Sequence, residues 1–159
     1  MLSNSLITRL KFQHDTISEL ILTREENQLK SRQDPTKWSA FEQVVHLVAY
    51  QPTFRKRLFE ILKGNGPVFE RYTADNDPLF HEYLSKPLNE LLSILSEDRS
   101  AIIDLILSLT NEQLQLGARH PKYGWLTIAG WTEFFLLHEA HHLFAIFMLT
   151  KTANTMSQQ

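Results

Sequence analysis

The chain has 159 residues, 43% of them hydrophobic and 21% charged, which is the balance of one ordinary folded domain. A net charge of −2 supplies no basic field for a phosphate backbone, so nucleic acid is not an expected partner. There is no cysteine, which excludes disulfides, thiolate nucleophiles and Cys-ligated zinc and leaves nitrogen and oxygen as metal donors.

The first helix is expected over residues 5–30, where Leu6, Leu10, Ile17, Leu20 and Ile21 recur near helical spacing. Asp34-Pro35-Thr36-Lys37 ends that region as a turn. Ser39 and Glu42 form an S-x-x-E capping box, each side chain satisfying an orphan backbone N–H, and start a second helix. Phe41, Val44, Val45 and Val48 are its apolar positions, and it stops before Gly64-Asn65-Gly66-Pro67. Residues 68–77 read as a long connection closing with Asp77-Pro78. The third helix is placed from Ser85, with Pro87 in its first turn, where a missing N–H does no harm. Its stripe runs Leu88, Leu91, Leu92, Leu95, Ile102, Ile106 and Leu109. Thr110 and Gln113 make a second capping box for a short helical turn, followed by a loop over residues 117–124. Thr127 caps the last helix, residues 128–151, and the polar segment 152–159 is expected to fray. No alternating run of strand length stands out, so the pattern predicts an all-α four-helix bundle filling residues 1–159 as one domain. Residues 1–11 lack the pattern of a signal peptide, and no apolar run approaches the ~20 residues that cross a bilayer. A cytoplasmic protein without a membrane partner is the expectation.

The last helix carries the sharpest chemical signal. Its inward stripe reads Ile128, Trp131, Phe135, His138, His142, Ala145 and Leu149, which puts two histidines where the pattern reserves apolar residues. Residues four apart differ by about 40° around a helix and ~6 Å along it, so both imidazoles can lean toward one point. His138-Glu139-Ala140-His141-His142 also satisfies H-E-x-x-H. The 17 residues after His142 contain no His, Asp or Glu, however, so the downstream third ligand of a zincin is absent. A third ligand must come from upstream, among His14, His46, His81 and His120. His46 is the best placed, mid-helix in Val44-Val45-His46-Leu47-Val48. Taken alone, His46 is as readily a hydrogen-bonded core histidine. His14 and His81 sit among polar neighbours and are expected to be exposed, His120 lies in a loop, and His141 points off the axis shared by His138 and His142.

Trp38-Ser39 with Glu42 and His46-Leu47, Arg99, the loop His120-Pro121-Lys122-Tyr123-Gly124 and the closing H-E-A-H-H together resemble the DinB-like family, including its YfiT-type metal-dependent hydrolases. The resemblance spans almost the whole chain. It implies a four-helix bundle of up-down-down-up connectivity, often dimeric. It also implies a metal held by one histidine of the second helix and an H-x-x-x-H pair of the fourth, which fall on His46, His138 and His142. Nickel, zinc and iron are the metals it brings, and thiol-dependent transferases acting with low-molecular-weight thiols are among its activities.

Three neutral imidazoles leave a coordination position open, the arrangement of a catalytic site. An ion there could lower the pKa of water toward ~7 or take up an exogenous thiol, which this chain cannot supply itself. Glu139 is the nearest carboxylate in sequence and the candidate base, although it lies about 100° from His138 and could instead meet a neighbouring helix. Glu42 is better explained as the capping residue. Trp38, Tyr50, Trp125 and Trp131 line a pocket or simply fill the core. The expected function is a metal-dependent hydrolase or thiol-dependent transferase acting on a small molecule. The alternative is a non-catalytic metal-binding or helical interaction module.

Overall fold

The structure, a computed structural model, describes residues 1–156, with side chains through Lys151. The N-terminal segment is helical but not one helix. It runs as α1 (Asn4–Phe12), a single 3-10 turn over Gln13–Asp15, α2 (Thr16–Ile21) and a short α3 (Glu26–Lys30). The expected helix over residues 5–30 is thus broken twice. At the first break, the Gln13 amide leaves the segment to donate 2.8 Å to the Leu136 carbonyl of the last helix. At the second, Glu25 and Gln28 make a capping box of their own and start a new helix.

The helix α4 (Ala40–Leu62) starts as expected, with Glu42 N–H donating to Ser39 Oγ at 3.2 Å and Ser39 N–H to Glu42 Oε2 at 2.8 Å. It continues through Pro52, whose missing N–H removes the helical bond to the Val48 carbonyl. It ends before Gly64 and Gly66, both at positive φ. The crossover that follows contains a 3-10 turn at Ala74–Asn76 and a helix the sequence pattern did not disclose, α5 (Pro78–Tyr83). Asp77 caps α5, its carboxylate accepting from Leu79 N–H at 2.9 Å. The next helix, α6 (Leu88–Ser108), begins three residues later than expected, with Pro87 as the N-cap residue rather than inside the first turn.

After α6 comes α7 (Asn111–Gln115), capped by Thr110 and Gln113 as read from the sequence. The expected loop over residues 117–124 is instead a hairpin of β1 (Gly117–His120) and β2 (Gly124–Thr127). Its strands are too short to show alternation, and they are held from outside. Arg119 N–H donates to the Pro67 carbonyl at 2.9 Å and Phe69 N–H to the Arg119 carbonyl at 3.1 Å. Gly117 is required here, because a Cβ would lie 2.5 Å from the Leu126 carbonyl oxygen and 2.8 Å from the Trp125 ring. The last helix, α8 (Ile128–Met156), receives its cap from Thr127 Oγ1 and runs past residue 151 into the segment expected to fray. The final three residues of that segment lie outside the described residues.

The N-terminal segment, α4, α6 and α8 form an up-down-down-up four-helix bundle whose core divides into two apolar clusters. One contains Ile17, Val44, Val45, Val48, Leu95, Leu143 and Ile146, the other Leu10, Phe54, Leu58, Ile102, Trp131 and Phe135. Between them, on all four elements, lies a polar level, buried except at the half-buried Gln13. Gln13 follows Leu10, Gln51 lies between Val48 and Phe54, Arg99 between Leu95 and Ile102, and Glu139 between Phe135 and Leu143. Among the described residues, no helix is long and apolar enough to cross a membrane.

Candidate metal centre

His46 from α4 and His138 and His142 from α8 meet beside that polar level. His46 Nε2 lies 3.0 Å from His138 Nε2, and His142 Nε2 lies 3.1 Å from the same atom. Each residue thus offers one nitrogen to a common point. His46 is 4% and His142 9% exposed. Burial is the main cause that pushes their pKa values down, to about 3 for His46, about 4 for His138 and about 2 for His142. Mutual repulsion among the rings adds to it, and all three are neutral near pH 7, the form that ligates metal.

The proton positions test whether a cation fits. His142 Nδ1 lies 2.6 Å from Gln43 Oε1, an acceptor, so the His142 proton is on Nδ1 and its Nε2 presents a lone pair. With that proton placed, both Nε2 contacts share His138 Nε2, and a single N–H there can point along only one of them. The Nδ1 atoms of His46 and His138 are buried without partners. Protons on those atoms turn three lone pairs toward one point, which is repulsive unless a cation sits there. The donor set, three imidazole nitrogens and no carboxylate, suits zinc, nickel or iron.

Aromatic packing holds the trio. Trp38 lies 5.1 Å from the His46 ring and 6.2 Å from that of His142, and Tyr72 lies 5.7 Å from His46. Tyr50 is 4.9 Å from His138. Of the aromatic residues singled out in the sequence, Trp38 and Tyr50 therefore adjoin the trio, whereas Trp131 is core and Trp125 is exposed.

Glu139 faces elsewhere. Its carboxylate is 1% exposed, forms an ion pair with Arg99 and accepts from Gln13 Nε2 at 3.0 Å. The 100° offset seen in the sequence carries it into the polar level, so its partners are a guanidinium and an amide rather than the three histidines. Arg99 is itself fully buried and also donates to Gln51 Oε1 at 3.2 Å. Glu42 caps α4 and pairs with Arg32. His14, expected to be exposed, has a side chain only 12% exposed, with burial as the main cause that lowers its pKa. His81 is exposed as expected, and His141 is exposed with its ring 5.2 Å from that of His142.

A cavity of about 430 Å³ opens onto His138. Tyr50, Arg57, Arg71 and Tyr72 line it together with His120, Lys122, Tyr123 and Phe134. Sequence reasoning missed Gln43, Arg57, Arg71 and Tyr72. Gln43 left a trace, three residues before His46 and so on the same helix face, and Arg57 belongs to a basic run with Arg55, Lys56 and Lys63 that by itself reads as a solvated helix face.

The family model described as the DinB superfamily matches residues 9–146. The chain belongs to the DinB superfamily. Among solved structures it is similar to YfiT from Bacillus subtilis, described as a probable metal-dependent hydrolase with an unusual four-helix bundle topology. The TM-score is 0.73 at 18% identity, covering 97% of this chain and 91% of that one. It is also similar to TT2238, a four-helix bundle protein, with a TM-score of 0.65 at 19% identity over 90% of this chain and 96% of that one. No match was found among curated proteins. At these identities the likeness establishes the shared bundle fold and leaves the chemistry to the site itself.

Proposed function

We propose that this DinB-superfamily chain is a cytoplasmic, metal-dependent enzyme that holds one divalent transition metal, zinc, nickel or iron, through His46, His138 and His142. The reaction is hydrolysis or transfer involving a low-molecular-weight thiol, on a small-molecule substrate. The observation that carries this reading is the convergence of three neutral Nε2 atoms, one of them from His138, which lines an open cavity. A bound ion would supply Lewis acidity at that point. Gln43 fixes the His142 proton on Nδ1, Trp38 and Tyr72 wall the rings from solvent, and the cavity admits substrate past Tyr50 to His138.

In this reading Glu139 is a positioning residue and not the base. By pairing with Arg99 it sets the rotation of α8, which turns His138 and His142 toward α4. The same reading includes a homodimer, supported by Leu137, Phe144 and Phe147, apolar residues left exposed on α8.

Elemental analysis of protein purified without chelators or a histidine tag tests the proposal, beside His138→Ala and His142→Ala. The expected result is about one metal per chain, lost in both variants while helicity is retained. Protein that carries no metal and takes up neither zinc nor nickel would end the enzyme reading. Sedimentation of the same samples reads the assembly, and a monomer at micromolar concentration removes the homodimer.

A further inference from the structure

We propose that the cavity beside His138 is an anion site, which takes a small molecule by a carboxylate or phosphate group between Arg57, Arg71 and Lys122. The metal-centre reading is needed only for the reacting end of that molecule. Cavity charge and geometry carry the anion site by themselves.

Three cationic side chains line the cavity, and no carboxylate does. Four arginines elsewhere are neutralised by acids: Arg9 meets Glu133, Arg32 meets Glu42, Arg55 meets Asp98 and Arg99 meets Glu139, whereas Arg24 donates to the Thr150 carbonyl. Arg57 is treated differently from those four. Its guanidinium donates to Tyr50 Oη at 3.1 Å and to the Glu70 carbonyl at 2.9 Å, both neutral acceptors. It also lies 5.2 Å from the Phe69 ring and 5.6 Å from that of Trp131. The group is held in place while its charge stays unneutralised. Among the described residues, no ion pair joins Arg57, Arg71 or Lys122 to an acid. Asp77, a carboxylate of the same region, is occupied by Tyr72 Oη–H at 2.7 Å and by Leu79 N–H, while Glu60 and Glu70 line an adjoining cavity with Arg57 and Arg71 without forming an ion pair with either.

The hairpin adds a further donor. His120 Nδ1 accepts from the backbone N–H groups of Lys122 at 3.1 Å and Tyr123 at 3.2 Å. Two donors on Nδ1 place the proton of the neutral ring on Nε2, which makes His120 an N–H donor. The same turn carries Lys122, which lines the cavity with Arg71. Guanidinium forks and ammonium groups on an open wall match the oxygens of carboxylate and phosphate. A volume of about 430 Å³ accommodates a metabolite-sized molecule reaching from this wall to His138.

Calorimetric titration of the full chain tests the proposal, in both metal-free and zinc-reconstituted forms. The probes are inorganic phosphate, succinate and, as a neutral analogue, succinamide. The expected result is that an anion binds both forms and succinamide does not, whichever anion binds more tightly naming the class. Arg71→Gln/Lys122→Gln should weaken that anion at least about tenfold with metal content unchanged. Anions that bind no better than succinamide, or equally well in the double variant, would overturn the anion site. Anion binding by a protein that takes up no zinc would sink the metal reading and leave the anion site standing. Zinc uptake without anion preference would do the reverse.

Discussion

Gln43 decides what the His142 ring can do. An imidazole has two nitrogens, and a strong acceptor on one commits the other to the lone-pair role. At 2.6 Å, Gln43 Oε1 is that acceptor. Gln43→Leu removes the acceptor while keeping an apolar stem of similar bulk. The expected outcome is metal held about 10–100-fold more weakly, read by competition with a chromophoric chelator, with the helical circular dichroism unchanged. An unaltered affinity would show that packing alone orients the ring. His46 and His138 have no such partner on Nδ1, so their orientation rests on Trp38, Tyr50 and Tyr72.

At the scale of elements, the Arg99–Glu139 pair joins α6 to α8, while Gln51 and Gln13 attach α4 and the N-terminal segment to the same group. A buried pair is costly to desolvate, and removing one partner strands the other charge. Arg99→Met should therefore destabilise the fold by about 3–5 kcal/mol in urea unfolding. Arg99→Met/Glu139→Leu should cost less than the single change, because no orphan charge remains. If the double variant were as unstable as Arg99→Met or more so, the cost would lie in packing rather than charge. The elements also show where periodicity misled. Residues 5–30 keep a helical apolar rhythm across two breaks, since Gln13 and Glu25 interrupt the backbone without interrupting the stripe. The hairpin left no rhythm to read, because contacts with residues 67–69 pin its strands.

For the whole molecule, the three buried histidines make stability depend on pH. Their folded-state pKa values, about 3, 4 and 2, lie below the ordinary 6.5. As pH falls below 6.5 the unfolded chain takes up protons that the folded chain refuses, so the metal-free fold loses stability on acidification and regains it as pH rises. Well below 6.5, each ring that stays neutral contributes a slope of about 1.4 kcal/mol per pH unit. Burial lowers the pKa of His14 as well, which acts in the same direction. Urea midpoints of chelator-treated protein at pH 7.5 and pH 5 should differ markedly, with the lower value at pH 5. Equal midpoints would mean that the rings are solvated in the folded chain. The window lies above the range where most carboxylates titrate, so the histidines dominate it.

Much of this protein was legible in one dimension because the signals are local. Capping boxes at Ser39 and Thr110, the breaker after Leu62 and the apolar stripes of α4, α6 and α8 depend on neighbours within a turn or two. His138 and His142 stood out for the same reason, as polar residues four apart on an inward face. His46 could be nominated, but its distance from the pair is a property of how α4 crosses α8. Only the tertiary structure could place Glu139, since a rotation of about 100° on one helix separates the metal point from the polar level. The cavity too is tertiary, its cations drawn from α4, the crossover and a hairpin far apart in the chain. Local periodicity determines which face of each element turns inward. Packing of the elements decides which inward residues meet, and the site depends on those meetings.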